Sequence, residues 1–244
     1  MLLRHTSAGG ASHFSCRLAV AQHAYLWQHC VNGRPLLPGA AMLEAAYAGA
    51  ATLLREESEQ QAALQGAAVM APLLLRPPTA ASVQLSVEVA HGCGEVRLAS
   101  QLHHGAPTVH LSAGAAALAA VHAVLPARQP SSCRMQLCSI LQPHQHAASA
   151  TYWRGEAVGS LCHPLVLPAC DSYHCHPAVV DAATHFGAAF DLHSGSAPRV
   201  PVGLGSYTAS AAGVAGTAPA QRFTISTAAQ LQVDGSRMSS FTIA

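Results

Sequence analysis

The chain has 244 residues, of which half are hydrophobic, only 9% are charged and 5% are aromatic, and its formal net charge is +1 with neutral histidines. This length allows one large domain or two small fused ones, with a real hydrophobic core. The composition is that of a compact globular chain and excludes a disordered one. Since no basic patch or basic-aromatic interleaving is present, a nucleic-acid partner is not expected.

The eight cysteines are spread along the sequence, and none of them forms a CxxC pair. A chain of this length does not depend on disulfides as small secreted domains do, so free thiols in a reducing compartment are expected. Residues 1–10 lack the apolar core of a signal peptide, and no apolar run has the length of a membrane span. We therefore expect a cytoplasmic or organellar protein with no membrane partner.

The first half of the chain predicts one long helix among several strands. A strand is expected over 14–20, and the helix over 38–55, where one apolar face can form from Met42, Leu43, Ala46, Leu53 and Leu54. Apolar alternation and Gly-rich or Pro-rich breaks then predict strands over 67–75, 83–89, 95–102 and 108–113. This pattern indicates an α+β fold.

The second half repeats the plan loosely after a stretch with little pattern. Residues 114–151 are rich in Ala and then in Pro and His, which is typical of a linker. A second helix is expected over 176–190, and Asp234-Gly235 is a hairpin signal. Strands are expected over 156–161, 200–207, 222–226, 229–233 and 239–243. The predicted organisation is an N-terminal half over 1–125, a linker over 126–151 and a C-terminal half over 152–244.

One histidine stands in a distinctive local setting. His29 follows Leu26 and Trp27, and Asn32-Gly33 behind it is a turn dipeptide. Pro38 then suits the first turn of a helix, where its missing N–H costs nothing. These residues predict an imidazole near a helix N-terminus in an apolar pocket. The alternative is a hydrogen-bonded structural histidine, since the chain has sixteen histidines.

Two motifs resemble a known family. His29-x3-Gly33-x4-Pro38, followed by Gly39-Ala-Ala-Met-Leu-Glu44, is similar to the HxxxGxxxxP motif of the dehydratase domain of polyketide synthases. His176-Pro177-Ala-Val-Val-Asp181-Ala-Ala-Thr-His185 resembles the family's second motif, DxxxQ or DxxxH after His-Pro. The resemblance implies a double hotdog fold, two fused halves that each wrap an antiparallel sheet around a long helix. His110-Leu-Ser-Ala-Gly114 also resembles the family's HASG-type strand.

The resemblance implies dehydration of a β-hydroxyacyl thioester, in polyketide or fatty-acid-like biosynthesis, on the phosphopantetheine of an acyl carrier protein. His29 would be the proton acceptor and Asp181 the proton donor, with His185 orienting Asp181 or the leaving hydroxyl. The backbone N–H of Gly33 or Gly39 would polarise the thioester carbonyl. No cofactor of its own is implied. The implied partners are the carrier protein and other synthase domains, with a homodimer as a further expectation.

One departure from the family pattern, and the structural roles open to its residues, leave alternatives to the dehydratase. Residues 140–152 contain no YGPxF block, which in the family helps to wall the pocket, so a product-template cyclase or an inactive structural module stands beside the dehydratase. Asp181 has a structural alternative as well, as a helix cap or as a partner of His185. A metal site from Cys170, Cys175 and the adjacent histidines is not favoured, because the spacing matches no standard zinc pattern.

Overall fold

The larger of two main sheets has seven strands, all of whose neighbouring strands are antiparallel. The computed structural model describes residues 4–18, 23–57, 61–75, 83–101, 106–118, 135–136, 147–153, 156–163, 173–175, 177, 180–181, 203–208, 221–231 and 237–243. In sheet order the strands are β1 (Arg4–Ala8), β2 (Ala11–Leu18), β6 (Val83–Ala90), β7 (Glu95–Gln101), β8 (Thr108–Leu118), β5 (Gln61–Val69) and β12 (Gly203–Tyr207).

Helix α1 (Gly39–Glu57) packs across this sheet, against β5 to β8. Its predicted apolar face is confirmed, since Met42, Leu43 and Ala46 are buried and Leu53 and Leu54 pack against the core. The facing strand β6 alternates as predicted, and its buried positions are Val83, Leu85, Val87 and Val89. The core therefore lies between one helix and one face of the seven-stranded sheet. No helix in the described ranges is long and apolar enough to cross a membrane.

The smaller main sheet has five strands, in the order β14-β13-β11-β10-β9. These strands are β9 (Met135–Gln136), β10 (Ala147–Trp153), β11 (Glu156–His163), β13 (Gln221–Leu231) and β14 (Arg237–Ile243). The prediction of two separate strands over 222–226 and 229–233 was wrong, because β13 pairs without interruption with β14. Backbone hydrogen bonding continues through Thr227 and Ala228, where the side chains give no apolar signal.

A third, two-stranded sheet is a small hairpin before α1. A 3₁₀ turn (Ala24–Gln28) leads into β3 (Cys30–Val31) and β4 (Arg34–Pro35), which pair as an antiparallel hairpin. Asn32 and Gly33 between them have φ of 51° and 73°. Two positive φ values in a two-residue loop are those of a type I′ turn, which explains the Asn-Gly pair. The predicted turn is thus confirmed.

Strand β5 begins and ends about six residues earlier than the predicted 67–75. Residues 61–66 are mostly Gln and Ala, so they carry little apolar signal, yet Ala62, Ala63 and Leu64 are buried. The sheet stops at Val69, shortly before Pro72, which cannot donate to a ladder. Residues 70–75, named here the strap, leave the sheet and run beside the small hairpin.

Two observations bear on the predicted division of the chain into two halves and a linker. Strands β9 and β10 occupy parts of 126–151, the segment expected to be a linker, and β12 from beyond that segment pairs with β5 in the larger sheet. The boundaries of the halves stay predictions. Of the helix predicted over 176–190, Pro177, Val180 and Asp181 are helical, and the other positions lie outside the described residues. Asp234-Gly235 lies outside them as well.

Replacing Gly49 with alanine should destabilise the fold by about 1 kcal/mol, since overpacking costs more than helix propensity returns. The added Cβ would lie 2.9 Å from Val87 Cγ1 and 3.2 Å from Phe14 Cδ2, both in the core. Urea unfolding measures the change. Thr52→Ala, on the exposed side of α1, is the control and should stay within about 0.5 kcal/mol of wild type. Equal stability of Gly49→Ala and wild type would contradict the close approach of helix and sheet.

Candidate functional site

The first candidate residue, His29, lies partly buried between the 3₁₀ turn and β3. Its Nδ1 is 3.0 Å from the carbonyl oxygen of Leu36, and the N–H of Leu36 donates to the carbonyl of His29 at 2.9 Å. A carbonyl oxygen only accepts, so in this hydrogen bond Nδ1 carries the proton. In the neutral ring Nε2 then has the free lone pair. The hairpin therefore fixes the ring orientation and makes Nε2 the basic nitrogen.

The hairpin is held from the other side by the strap. Leu37 N–H donates to Leu73 O at 2.9 Å and Leu75 N–H donates to Pro35 O at 2.9 Å, so the chain on both sides of Leu36 is fixed. Leu36 itself forms an isolated antiparallel bridge with Leu74. The carbonyl that orients His29 thus belongs to a segment with tertiary backbone hydrogen bonds.

A second histidine, the buried His110 of β8, holds the strap in turn. Its Nδ1 is 3.0 Å from Ala71 O and its Nε2 is 2.8 Å from Ser100 Oγ. Since Ala71 O only accepts, Nδ1 donates to it and Nε2 accepts from the serine hydroxyl. Both ring nitrogens are therefore used, which leaves His110 a structural role. Met70 N–H also donates to His110 O, at 2.8 Å.

The two candidate backbone donors lie in different settings. Gly33 is exposed at the tip of the hairpin, whereas Gly39 is the first residue of α1. The carbonyl of buried Pro38 accepts from Ala41 N–H at 3.0 Å and from Met42 N–H at 3.2 Å, so the helix begins directly after Pro38. The earliest N–H groups of a helix have no intrahelical acceptor. Gly39 is therefore the better placed of the two, and either role stays a prediction.

The second motif enters the described structure through a short segment that contacts the core. Cys175 and Val180 are buried core residues, and Asp181 is partly buried at the next position. Tyr173 OH lies 2.5 Å from Tyr25 OH, which belongs to the 3₁₀ turn before His29. The tyrosine pair therefore joins the segments that carry the two motifs. His185 and His176 lie outside the described residues.

A residue to which the sequence assigned no role makes the strongest connection between these segments. Glu44 of α1 is only 1% exposed, and its carboxylate accepts from His174 N–H at 2.5 Å and from Cys175 N–H at 3.4 Å. His174 Nδ1 lies 3.3 Å from Oε1, and Tyr207 OH donates to Oε2 at 3.1 Å. The sequence signal is a single charged residue among the otherwise uncharged residues 39–54, since a buried carboxylate needs partners.

Burial and the charge of Glu44 raise the pKa of two neighbouring groups, the thiol of Cys175 and the phenol of Tyr207. Burial, and secondly the charge of Glu44, raise the pKa of the Cys175 thiol to about 12. Burial and the same carboxylate raise the pKa of the Tyr207 phenol well above its usual value. Both groups therefore stay protonated at neutral pH, and the Tyr207 hydroxyl remains a donor. Tyr47 packs edge-on against the rings of both His174 and Tyr207.

Within the described part of the chain, no three His, Cys, Asp or Glu side chains converge as metal ligands do. Four cysteines whose side chains are described are free: Cys16, Cys30, Cys93 and Cys175. An oriented imidazole on one segment and a carboxyl group on another are groups that can transfer protons.

Thiol alkylation should distinguish the two exposed cysteines from the two buried ones. Burial raises the pKa of Cys16 and of Cys175 to about 12, so at pH 8 neither forms a reactive thiolate, whereas Cys30 and Cys93 are exposed. Iodoacetamide followed by peptide mass spectrometry should modify Cys30 and Cys93 in the native protein and spare the buried pair. Urea-unfolded protein is the control, in which all four react. Native labelling of Cys175 as fast as Cys30 would contradict its burial.

Gly33→Ala should destabilise the hairpin by about 1 kcal/mol, because an alanine with φ of 73° is strained. Gly39→Ala is the matched control. Gly39 is not among the positive-φ residues, and an added Cβ there would meet Val69 Cγ2 at an ordinary 3.8 Å. Urea unfolding of both variants measures the difference, and equal stabilities would exclude the type I′ turn.

Comparisons with known proteins give a family match over part of the chain and several matches of fold. Residues 1–101 match the family model described as polyketide synthase dehydratase domain. The fold matches GphF dehydratase 1 with a TM-score of 0.71 and 20% identity, over 98% of this chain and 95% of that one. It also matches the bifunctional dehydratase-cyclase domain in ambruticin biosynthesis, with a TM-score of 0.74 and 22% identity, over 100% of this chain and 88% of that one.

A third match is the CurJ dehydratase, in an inactive mutant bound to a compound, with a TM-score of 0.75 and 13% identity over 98% of this chain and 88% of that one. No curated protein matches the sequence. The structural matches show the fold, and the family model covers the part of the chain that contains His29, Gly33 and Pro38. Residues 1–101 are thus similar to the dehydratase domain of polyketide synthases, and the chain matches the fold of three dehydratase structures.

Proposed function

We propose that the chain dehydrates a carrier-bound β-hydroxyacyl thioester to the α,β-unsaturated thioester. The observation that carries the proposal is the hydrogen bond from His29 Nδ1 to Leu36 O, which leaves Nε2 as a base. Leu36, which holds the ring, lies three residues before the start of α1, and a helix N-terminus stabilises developing negative charge such as that on a thioester oxygen. The family-model match over residues 1–101 supports the same reaction.

In the proposed reaction, His29 Nε2 removes the α-proton, which the thioester makes acidic. The C–H electron pair forms the new C=C bond, and the C–O bond to the β-hydroxyl breaks. Asp181 in its protonated form gives its proton to the departing oxygen, which leaves as water. The products of the step are an imidazolium and a carboxylate, and a proton passing back between them through solvent restores the site.

Asp181 is the proposed acid because its segment is tied to the segment of His29. The Tyr25–Tyr173 hydrogen bond joins positions four residues before His29 and eight before Asp181, and the Glu44 contacts act six and seven residues before Asp181. The preceding residue, Val180, is fully buried, and Asp181 itself is partly buried. His185 is the proposed orienting residue for the acid, and Gly39 N–H the proposed donor to the thioester carbonyl.

The finer architecture is part of the same proposal. A seven-stranded and a five-stranded antiparallel sheet, with helical residues in both motif regions, are compatible with a double hotdog. The proposed substrate is presented on the phosphopantetheine of an acyl carrier protein, within a multidomain synthase or beside one. The reaction itself needs no cofactor, and we propose a cytoplasmic setting with a homodimer as the assembly.

Mass spectrometry of a β-hydroxybutyryl thioester of pantetheine, or of a carrier protein, tests the proposal. Wild type should convert the substrate to a product that is one water lighter. His29→Ala and Asp181→Asn should each lower the rate by about 10²–10⁴-fold, as expected for loss of a general base or acid. Circular dichroism establishes that each variant is folded.

The matched controls are His91→Gln, an exposed histidine in the β6–β7 turn, and Glu95→Gln, a partly exposed carboxylate at the start of β7 that pairs with Arg97. Both should retain the wild-type rate. A folded wild type that removes no water would refute the dehydratase proposal and favour the cyclase or the inactive module. A hydroxyl-bearing enoyl thioester would then be the substrate to try, because a similar structure is named a bifunctional dehydratase-cyclase.

A further inference from the structure

The carboxylate of Glu44 has an unusual set of partners for a residue in the middle of an apolar helix. Its partners among the described residues lie far away in sequence, at His174 and Cys175 before Asp181 and at Tyr207 in β12. Two of the donors are main-chain N–H groups, so the carboxylate fixes the course of the backbone and not only a side chain. Neither the sequence motifs nor the proposed reaction assigns a role to Glu44.

The free-energy cost of breaking the hydrogen bonds of Glu44 favours one position of residues 173–175. A buried carboxylate is costly without partners, and the two main-chain donors would lose their hydrogen bonds if the carboxylate were removed. The segment 173–175 therefore has one favourable position relative to α1, the position in which Glu44 accepts both N–H groups. The Tyr47 ring, one turn further along α1 and edge-on to His174 and Tyr207, packs beside the same contact.

We propose that Glu44 is a positioning residue, which sets the distance between the proposed base and the proposed acid. The helix that carries Glu44 begins directly behind the hairpin of His29, and the segment that it holds leads into Asp181. The carboxylate thus couples the two motifs through the body of α1, without touching the substrate. This inference rests on the proposed dehydration.

The first test compares turnover in three variants with the β-hydroxyacyl thioester as substrate. Glu44→Ala should lower kcat by ~100-fold, because small displacements of a catalytic group have effects of this size. KM should change by less than about threefold, since the variant alters no group that binds the thioester. Glu44→Gln should give an intermediate kcat, because its carbonyl oxygen can still accept from His174 N–H.

The control for a merely structural effect is Gly94→Ala at the β6–β7 turn, where φ is 64° and an added Cβ would lie 2.6 Å from Ala115 O. It strains a turn that takes no part in the contact between Glu44 and 173–175, so its kcat should equal that of wild type at a temperature where both are folded. A kcat of Glu44→Ala no lower than that of Gly94→Ala would overturn the proposal. So would a full loss of activity in Glu44→Gln with no difference from Glu44→Ala.

Hydrogen exchange gives a readout that does not depend on activity. Peptides that span 173–181 should exchange about tenfold faster or more in Glu44→Ala, and peptides from β6 should exchange as in wild type, because the loss is local. If wild type proves unable to dehydrate the substrate, the function fails, and exchange alone decides on the anchoring role. Unchanged exchange over 173–181 would overturn that role whatever the activity.

Discussion

The close packing of α1 on the seven-stranded sheet constrains the rest of this structure. Gly49 faces Val87 and Phe14 with no space for a Cβ, so the helix cannot shift or roll on the sheet without opening the core. The N-terminus of the helix is fixed with it, because Pro38 O accepts the first helical hydrogen bonds. The small hairpin directly before Pro38 then has a defined place, and His29 lies at its start.

A series of main-chain contacts extends this constraint to the imidazole. The strap bonds to the residues on both sides of Leu36, and His110 holds the strap through Ala71. Each link uses groups whose roles are fixed by chemistry, since carbonyl oxygens can only accept. The tautomer of His29 is therefore a consequence of the fold. A free imidazole in water would exchange between both tautomers and would offer either nitrogen as base.

The Glu44 carboxylate connects the same helix to the segment of the second motif. Through two main-chain N–H groups it holds the segment before Asp181, and through Tyr207 it reaches β12. One buried charge can do this because hydrogen bonds to a charged group are stronger than neutral ones, and because leaving them unmade is costly. Helix α1 is thus the common support of both motif segments.

Much of the fold follows from local sequence signals. The apolar face around Met42 and Ala46, the alternation along β6 and the Asn32-Gly33 turn all have a short-range cause, so the sequence alone predicted them. The predicted bounds failed where strands consist of alanine and glutamine, in β5 and in the second part of β8. There residues 61–65 and 114–118 pair with each other, and this long-range pairing overrides the weak preference of the residues.

For the candidate site, the sequence determined which residue types stand in the two motifs, and the resemblance gave His29 and Asp181 their proposed roles. Only the tertiary structure decided which nitrogen of His29 is basic, because the carbonyl of Leu36 lies seven residues away and is fixed by the strap. Only the tertiary structure revealed the connection through Glu44, since its partners lie at least 130 positions further along the chain. Hydrogen-bond partners that distant leave no periodic signal in a sequence, and the fold alone brings them together.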